Sequence, residues 1–173
     1  QMLSESLSLQ RLVNDLLDLS KLQSSDFVIE MQELNLCDIL SDVARSVSHL
    51  AQDKRIEIRQ EYDTMSLLVL GDYGRLRQMF FIILDNAVKF SPVGSKIDIS
   101  LKDRTVSIID HGKGISDGDL PYIFDRFYKV RSEENKSGSG LGLAIAKQIA
   151  DRHGVEVLVS SRLDVGTEYK MKF

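Results

Sequence analysis

The chain has 173 residues, 43% hydrophobic and 28% charged, with a formal net charge of −4, which suits one medium globular domain with an appendage. An acidic balance without a clustered basic stripe gives no general affinity for nucleic acid or anionic lipid, so nucleic acid is excluded as a partner class. A single cysteine, Cys37, rules out an internal disulfide and a thiolate cluster, and no apolar run approaches the roughly 20 residues of a membrane-spanning helix.

The opening stretch "LSLQRLVNDLLDLSKLQ" places Leu9, Leu12, Leu16 and Leu19 at spacings of three and four, with Val13 and Leu17 widening the stripe. That is the seam of a helix that packs on another helix. Its abrupt start predicts a fragment of something longer, and the "QSSD" break predicts that residues 1–25 form an element separate from residues 26–173. "FVIEMQELNL" then alternates like a strand, and Asp38 is a candidate cap for a helix through "ILSDVARSVSHLAQDK". Cys37 beside it reads as a buried structural thiol of a reducing cytoplasm. "RIEIRQEY" reads as a half-buried strand and "LLVL" as a short buried one. Asp72 caps the next helix, "YGRLRQMFFIILDNAVKF", which stops before Pro92 because proline disfavours helical geometry at the preceding residue. "SKIDISLK" and "RTVSIID" form a hairpin, "LPYIF" a short helix, and "DRFYKVRSEENKSGSG" a loop too polar to fold alone. A helix headed by glycines runs to about His153, and the strands "VEVLVSS" and "GTEYKMKF" close the chain. Paired strands with interspersed helices predict an α+β fold: a two-layer sandwich of a mixed, mostly antiparallel sheet with helices on one face, preceded by a bundle-type helix.

Three stretches carry chemistry. In "IIDHGKGI", Asp110 ends a strand and is followed by Gly112 and Gly114, so a carboxylate can accept from an exocyclic amine such as that of adenine. By itself this also reads as a tight turn. In "GSGLGLAIAK", Gly138, Gly140 and Gly142 precede a helix whose positive end suits a phosphate, although a hinge without ligand has the same composition. In "ILDNAVKFSP", Asn86 and Lys89 share a helical face, where an amide oxygen can ligate Mg²⁺ and an ammonium can meet phosphate. A solvated asparagine is the plainer alternative.

The order of these stretches, with the aromatic "FDRF" between them, resembles the catalytic, ATP-binding domain of sensor histidine kinases, which has the Bergerat ATPase fold. The likeness covers the whole chain, with residues 1–25 similar to the second helix of the dimerisation and histidine-phosphotransfer hairpin. It implies ATP and Mg²⁺ as cofactors, Asn86 as metal ligand, Lys89 on phosphate and Phe90 at a common aromatic position. It further implies Asp110 on the adenine amine with Gly112, Gly114 and Thr167 beside the base, and Phe124 and Phe127 anchoring a lid. Arg126, Lys129 and Arg131 stand where lid cations reach phosphates, and Gly138, Gly140, Leu141 and Gly142 complete the phosphate side. The implied partners are the protein's own hairpin helices, a second copy in a full-length homodimer and a response regulator; the implied place is the cytoplasmic part of a membrane-anchored sensor.

Two departures stand out. One turn before Asn86 the family commonly has a second asparagine, and here that residue is Ile82, which predicts weakened Mg²⁺ affinity or catalysis. No His-Glu/Asp-x-x-x-Pro-like stretch surrounds His49, His111 or His153, so the phosphoacceptor and its neighbouring acid are expected outside the chain, which should not autophosphorylate. The alternatives are another ATPase or serine kinase of the same fold, disfavoured by the lack of a glutamate near Asn86, and a non-catalytic nucleotide-binding signalling module, which Ile82 favours.

Overall fold

In chain order the elements are α1 (Met2–Gln23), β1 (Gln32–Asn35), α2 (Leu36–Ala51), β2 (Glu57–Tyr62), β3 (Leu68–Gly71), α3 (Tyr73–Phe90), β4 (Lys96–Lys102), β5 (Thr105–Asp110), α4 (Gly142–Arg152), β6 (Glu156–Arg162) and β7 (Gly166–Lys172). They belong to a computed structural model that describes residues 2–130 and 138–173. Five strands make the main sheet in the order β2-β4-β5-β7-β6; β2 is parallel to β4 and the other neighbours are antiparallel. Strand alternation sends Ile97, Ile99, Leu101, Val106, Ile108 and Met171 into the core. On the opposite face Arg59 and Asp98 pair at 2.6 Å. α2 packs over β2, α3 over β5 and α4 over β6, so the chain has the mixed, mostly antiparallel α+β architecture with helices on one face.

α3 carries the centre of this core. Asp72 caps it by accepting from the Arg75 N–H at 3.1 Å, and it ends at Ser91, the residue before Pro92. Its buried residues, Leu76, Met79, Phe80, Ile83, Leu84, Ala87 and Val88, recur every three or four positions and fix one face against α2, α4 and the sheet. Each such burial contributes about 1.5–3 kcal/mol for the larger side chains. Gln78, Ile82, Asp85, Asn86 and Lys89 remain on the flank.

Several local expectations change. α2 starts at Leu36, and its cap is Asn35, not Asp38; the Asn35 Oδ1 accepts from both Cys37 N and Leu67 N at 3.1 Å, tying the helix start to the loop before β3. β2 and β3, consecutive in sequence, do not pair: β3 joins β1 in a separate two-stranded sheet. There Val69 is buried, but Leu68 and Leu70 face solvent, so "LLVL" is buried on one face only. "LPYIF" reduces to a single 3-10 turn at Leu120–Tyr122. Asp103 and Arg104, both at positive φ, turn the β4–β5 hairpin as expected.

The lower half of α1 is bound to the rest of the chain. Leu19 and Leu22 are buried, whereas Leu9, Val13, Leu16 and Leu17 are exposed. Arg75 Nη1 donates to Asp18 Oδ1 at 3.1 Å, and Gln78 Nε2 donates to Asp18 Oδ2 at 2.8 Å. Around the "QSSD" break, Arg152 of α4 donates to the carbonyls of Leu22, Ser24 and Phe27, holding the turn that follows the helix. Among the described residues no helix is long and apolar enough to cross a membrane.

Candidate functional site

A cavity of about 620 Å³ lies between α3, the ends of β5 and β7, the segments flanking Gly114 and Gly140, the start of α4, and α1. At the sheet end, Asp110 is buried at the last position of β5. Its Oδ1 accepts from Gly112 N at 3.0 Å and Thr167 N at 3.2 Å, which fixes the carboxylate in the wall. Burial pushes this carboxyl above the usual carboxylate range, with the two N–H bonds pulling the other way. A buried, oriented acceptor recognises a donor-bearing ligand edge. Gly112 approaches the end of α3 so closely that a Cβ would lie 2.3 Å from the Phe90 carbonyl oxygen, and no larger residue fits there.

Thr167 and Tyr169, alternate residues of β7, share this wall. Ser161 of β6 hydrogen-bonds Thr167 Oγ1 at 2.8 Å, donates to Gly166 O at 3.0 Å and accepts from Ile115 N at 2.7 Å. One hydroxyl therefore joins two strands to the glycine-containing segment. The sequence reading missed Ser161; its only sequence signal is an inward position in the alternation of "EVLVSSR". Burial raises the Tyr169 phenol pKa strongly, with the charge of Asp110 adding to it.

The α3 flank forms the second wall. Asn86 lines the cavity and its carboxamide has no hydrogen-bond partner among the described residues. Lys89 and Lys113 place their ammonium groups 5.6 and 5.7 Å from the Phe90 ring centre, within cation–π range. Lys113, inside "DHGKG", and Asp85, beside Asn86, both line the cavity and were not singled out from the sequence. Asp85 is open to solvent on one side, yet desolvation by the atoms around it raises its carboxyl pKa, with Lys89 and Arg11 opposing the shift.

The third wall is the glycine segment. Gly138, Gly140 and Gly142 line the cavity with Lys129. Gly140 has φ +75°, and a Cβ there would meet the Phe127 backbone at 2.8 Å. Its carbonyl accepts from Phe127 N at 2.8 Å. α4 starts at Gly142 with no side-chain cap, so N–H groups of its first turn are open to an anion. Leu141 is fully buried beneath the segment and serves as an apolar peg, not as lining. Phe124 packs against the core, but the Phe127 ring is 55% exposed, so Phe127 is tied in by its backbone alone. Arg126 lies outside the cavity and bonds Gln23 of α1, and Arg131 lies outside the described residues.

Nucleotide chemistry fits these walls: a fixed acceptor at one end, cations beside Phe90 and an uncapped helix start opposite. For Mg²⁺ the donor set is small. No group of three or more His, Cys, Asp or Glu side chains is placed to hold a metal among the described residues. The unpartnered Asn86 amide fits a metal held by few protein ligands together with phosphate oxygens.

Comparison with known proteins agrees with this geometry. Residues 71–173 match the family described as histidine kinase-, DNA gyrase B-, and HSP90-like ATPase. The sensor histidine kinase YkoH of Bacillus subtilis (strain 168) is 36% identical over 98% of this chain and 37% of its own length. The sensor protein QseC of Escherichia coli (strain K12) is 34% identical over 94% of this chain and 36% of its own. The chain thus spans little more than a third of these relatives. Among solved structures, full-length ShkA in complex with AMPPNP superposes with a TM-score of 0.82 at 31% identity, covering 96% of this chain and 36% of that one. The cytoplasmic segment of histidine kinase QseC gives 0.68 at 28% identity, over 98% and 93%.

Proposed function

This chain belongs to the histidine kinase-, DNA gyrase B-, and HSP90-like ATPase family, and on that premise we propose that it is the ATP-binding catalytic domain of a sensor histidine kinase. Residues 26–173 bind Mg²⁺–ATP, and residues 1–25 are the second helix of the dimerisation and phosphotransfer hairpin. The reaction moves the γ-phosphoryl group from ATP to an imidazole nitrogen: the bond from the γ-phosphorus to its bridging oxygen breaks, ADP leaves, and a P–N bond forms. The acceptor histidine belongs to a helix outside residues 1–173. The whole protein on this reading is a homodimeric, membrane-anchored sensor with a cytoplasmic kinase portion and a response regulator as phosphoryl recipient.

The observation that carries the reading is the Asp110 carboxylate, locked by Gly112 N and Thr167 N at one end of a cavity whose other walls present Asn86 and an uncapped helix start. Asp110 accepts from the adenine amine and Thr167 supports the base; Lys89, Lys113 and Lys129 neutralise phosphate charge; Gly138, Gly140 and Gly142 let backbone N–H groups close on the phosphates. A bound Mg²⁺ would supply neutralisation of the negative charge on the phosphates. Asn86 would hold it. The remainder of the work is positioning.

Calorimetric titration with ATP tests this. Binding should be saturable, and Asp110→Asn should weaken ATP by roughly 10- to 100-fold, the worth of one charge-assisted hydrogen bond, while narrowing the preference for ATP over inosine triphosphate. No saturable adenine nucleotide binding in any divalent-ion condition overturns the reading. Labelled ATP should phosphorylate a supplied intact hairpin and leave this chain unlabelled. A second reading, a nucleotide-binding module without transferase activity, draws on Ile82 standing in the cavity wall beside Asn86; ATP binding without transfer to the hairpin would select it.

A further inference from the structure

Among the α3 residues that line the cavity, Gln78, Ile82, Asp85, Asn86 and Lys89 fall on one flank of the helix at spacings of four, three, one and three. Four are polar: Gln78 is engaged, its Oε1 accepting from Arg75 and its Nε2 donating to Asp18, Lys89 is a cation, and the Asn86 amide and the neighbouring Asp85 carboxylate carry the oxygens suited to a hard cation. Ile82, one turn earlier than both, offers none. A lone neutral amide is a weak anchor for Mg²⁺, which is commonly held by one or two carboxylates together with phosphate oxygens.

We propose that Asp85 is the charged member of the cation site in this chain, acting with Asn86 on the divalent ion that accompanies the nucleotide. The inference rests on the nucleotide reading given above. The groups facing Asp85 are Lys89, four residues on along α3, and Arg11, reaching over from α1. Both are cations, and both line the same cavity. A triphosphate entering the cavity competes for those two cations and leaves the Asp85 charge to be matched by something else. A divalent ion beside Asn86 supplies the match. Without that ion Asp85 is a liability, because it sets a negative charge in the wall that the phosphates must approach. Asp85 therefore makes nucleotide binding depend on metal, in place of the oxygen that Ile82 lacks.

This gives a signature with two signs, read by binding alone on the full chain. The affinity for β,γ-imido-ATP is measured by calorimetry in EDTA and again in Mg²⁺, for the parent and for Asp85→Asn, with Asp85→Ser as a second variant. Both substitutions should tighten binding slightly in EDTA, since a like charge is gone, and should cut the Mg²⁺-dependent enhancement about tenfold. Retained binding in EDTA shows that the variants are folded. An equal enhancement in parent and variants overturns the role of Asp85 while leaving the nucleotide reading intact. Absence of binding by the parent in both buffers overturns the nucleotide reading, and this inference with it.

Discussion

Ser139, seated between Gly138 and Gly140, donates from Oγ to the Asp15 carboxylate of α1 at 2.7 Å. Asp15 lines the cavity, so α1 sets a carboxylate against the segment read as the phosphate cradle. Two anions cannot share that position cheaply: a unit charge pair about 4 Å apart costs about 1 kcal/mol even in water. Asp15→Asn keeps an acceptor for Ser139 and removes the charge. It should tighten ATP about fivefold and leave adenosine unchanged, as read by calorimetry of both ligands. Equal effects on the two ligands would mean that Asp15 acts by shaping the cavity and not by charge.

His153 links the end of α4 to the start of α3. Its Nε2 accepts from Asp72 N at 3.0 Å, so the ring proton lies on Nδ1, which donates to Ile149 O at 2.7 Å. Protonating Nε2 destroys the first bond. Burial holds the imidazole below its ordinary value of 6.5, and the nearby Arg152 charge adds to that, against the Ile149 bond and Asp72. A base with a depressed folded pKa contributes its full stability above 6.5. That contribution is lost as pH falls from 6.5 towards the folded value, because the unfolded chain takes the proton first. Urea midpoints measured from pH 7.5 down to pH 5 should fall, and His153→Gln should flatten that slope. An unchanged slope would remove His153 from the account.

The leucine stripe of α1 makes a graded prediction. Leu22 is fully buried, whereas Leu16 is 38% exposed, although both belong to the same periodic pattern. Leu22→Ala should cost about 2–5 kcal/mol by removing core contacts, while Leu16→Ala in this chain should stay within roughly 0.5 kcal/mol. Urea denaturation followed by circular dichroism checks both. Equal costs would show that the outer half of the stripe is also covered in solution.

Local signals were legible in the sequence. Asp72 and Pro92 bracket α3 because capping and pre-proline geometry act within a few residues, and the Asp103–Arg104 turn was fixed by its flanking alternation. Asn35 was overlooked in favour of Asp38 because the deciding second bond, from Leu67 N, comes from more than thirty residues away. The split between β2 and β3 was hidden for the same reason: pairing depends on which edges are free in space, and β1 takes β3. In the candidate site, Asp110, Asn86, Lys89 and the glycines stood out because their types are unusual in an apolar strand end or helix. Ser161, Lys113 and Asp85 did not, since a serine in a strand, a lysine in a loop and an aspartate on a helix have ordinary solvated explanations. Arg126 was read towards the phosphates but bonds Gln23, a partner that exists only because α1 folds back onto the domain.

Ile82 supplies the last prediction. It lines the cavity one turn before Asn86, and its Cγ2 lies 3.4 Å from where a Cβ on Gly142 would sit, so it stands directly against the start of α4, beside the walls assigned to the phosphates. A branched apolar group there can neither ligate a metal nor hold a water for one. Ile82→Asn replaces it with a side chain of smaller volume carrying both a donor and an acceptor, half-buried and within reach of solvent, so the desolvation cost is small. The substitution should raise the Mg²⁺-dependent part of nucleotide affinity and the rate of transfer to a supplied hairpin, and leave metal-free binding unchanged. Isothermal titration with and without Mg²⁺, followed by transfer of labelled phosphate, separates the two effects. Identical metal dependence and rate in parent and variant would reject the idea that Ile82 limits this site, and would indicate that Asp85 and Asn86 already hold all the metal that the cavity can use.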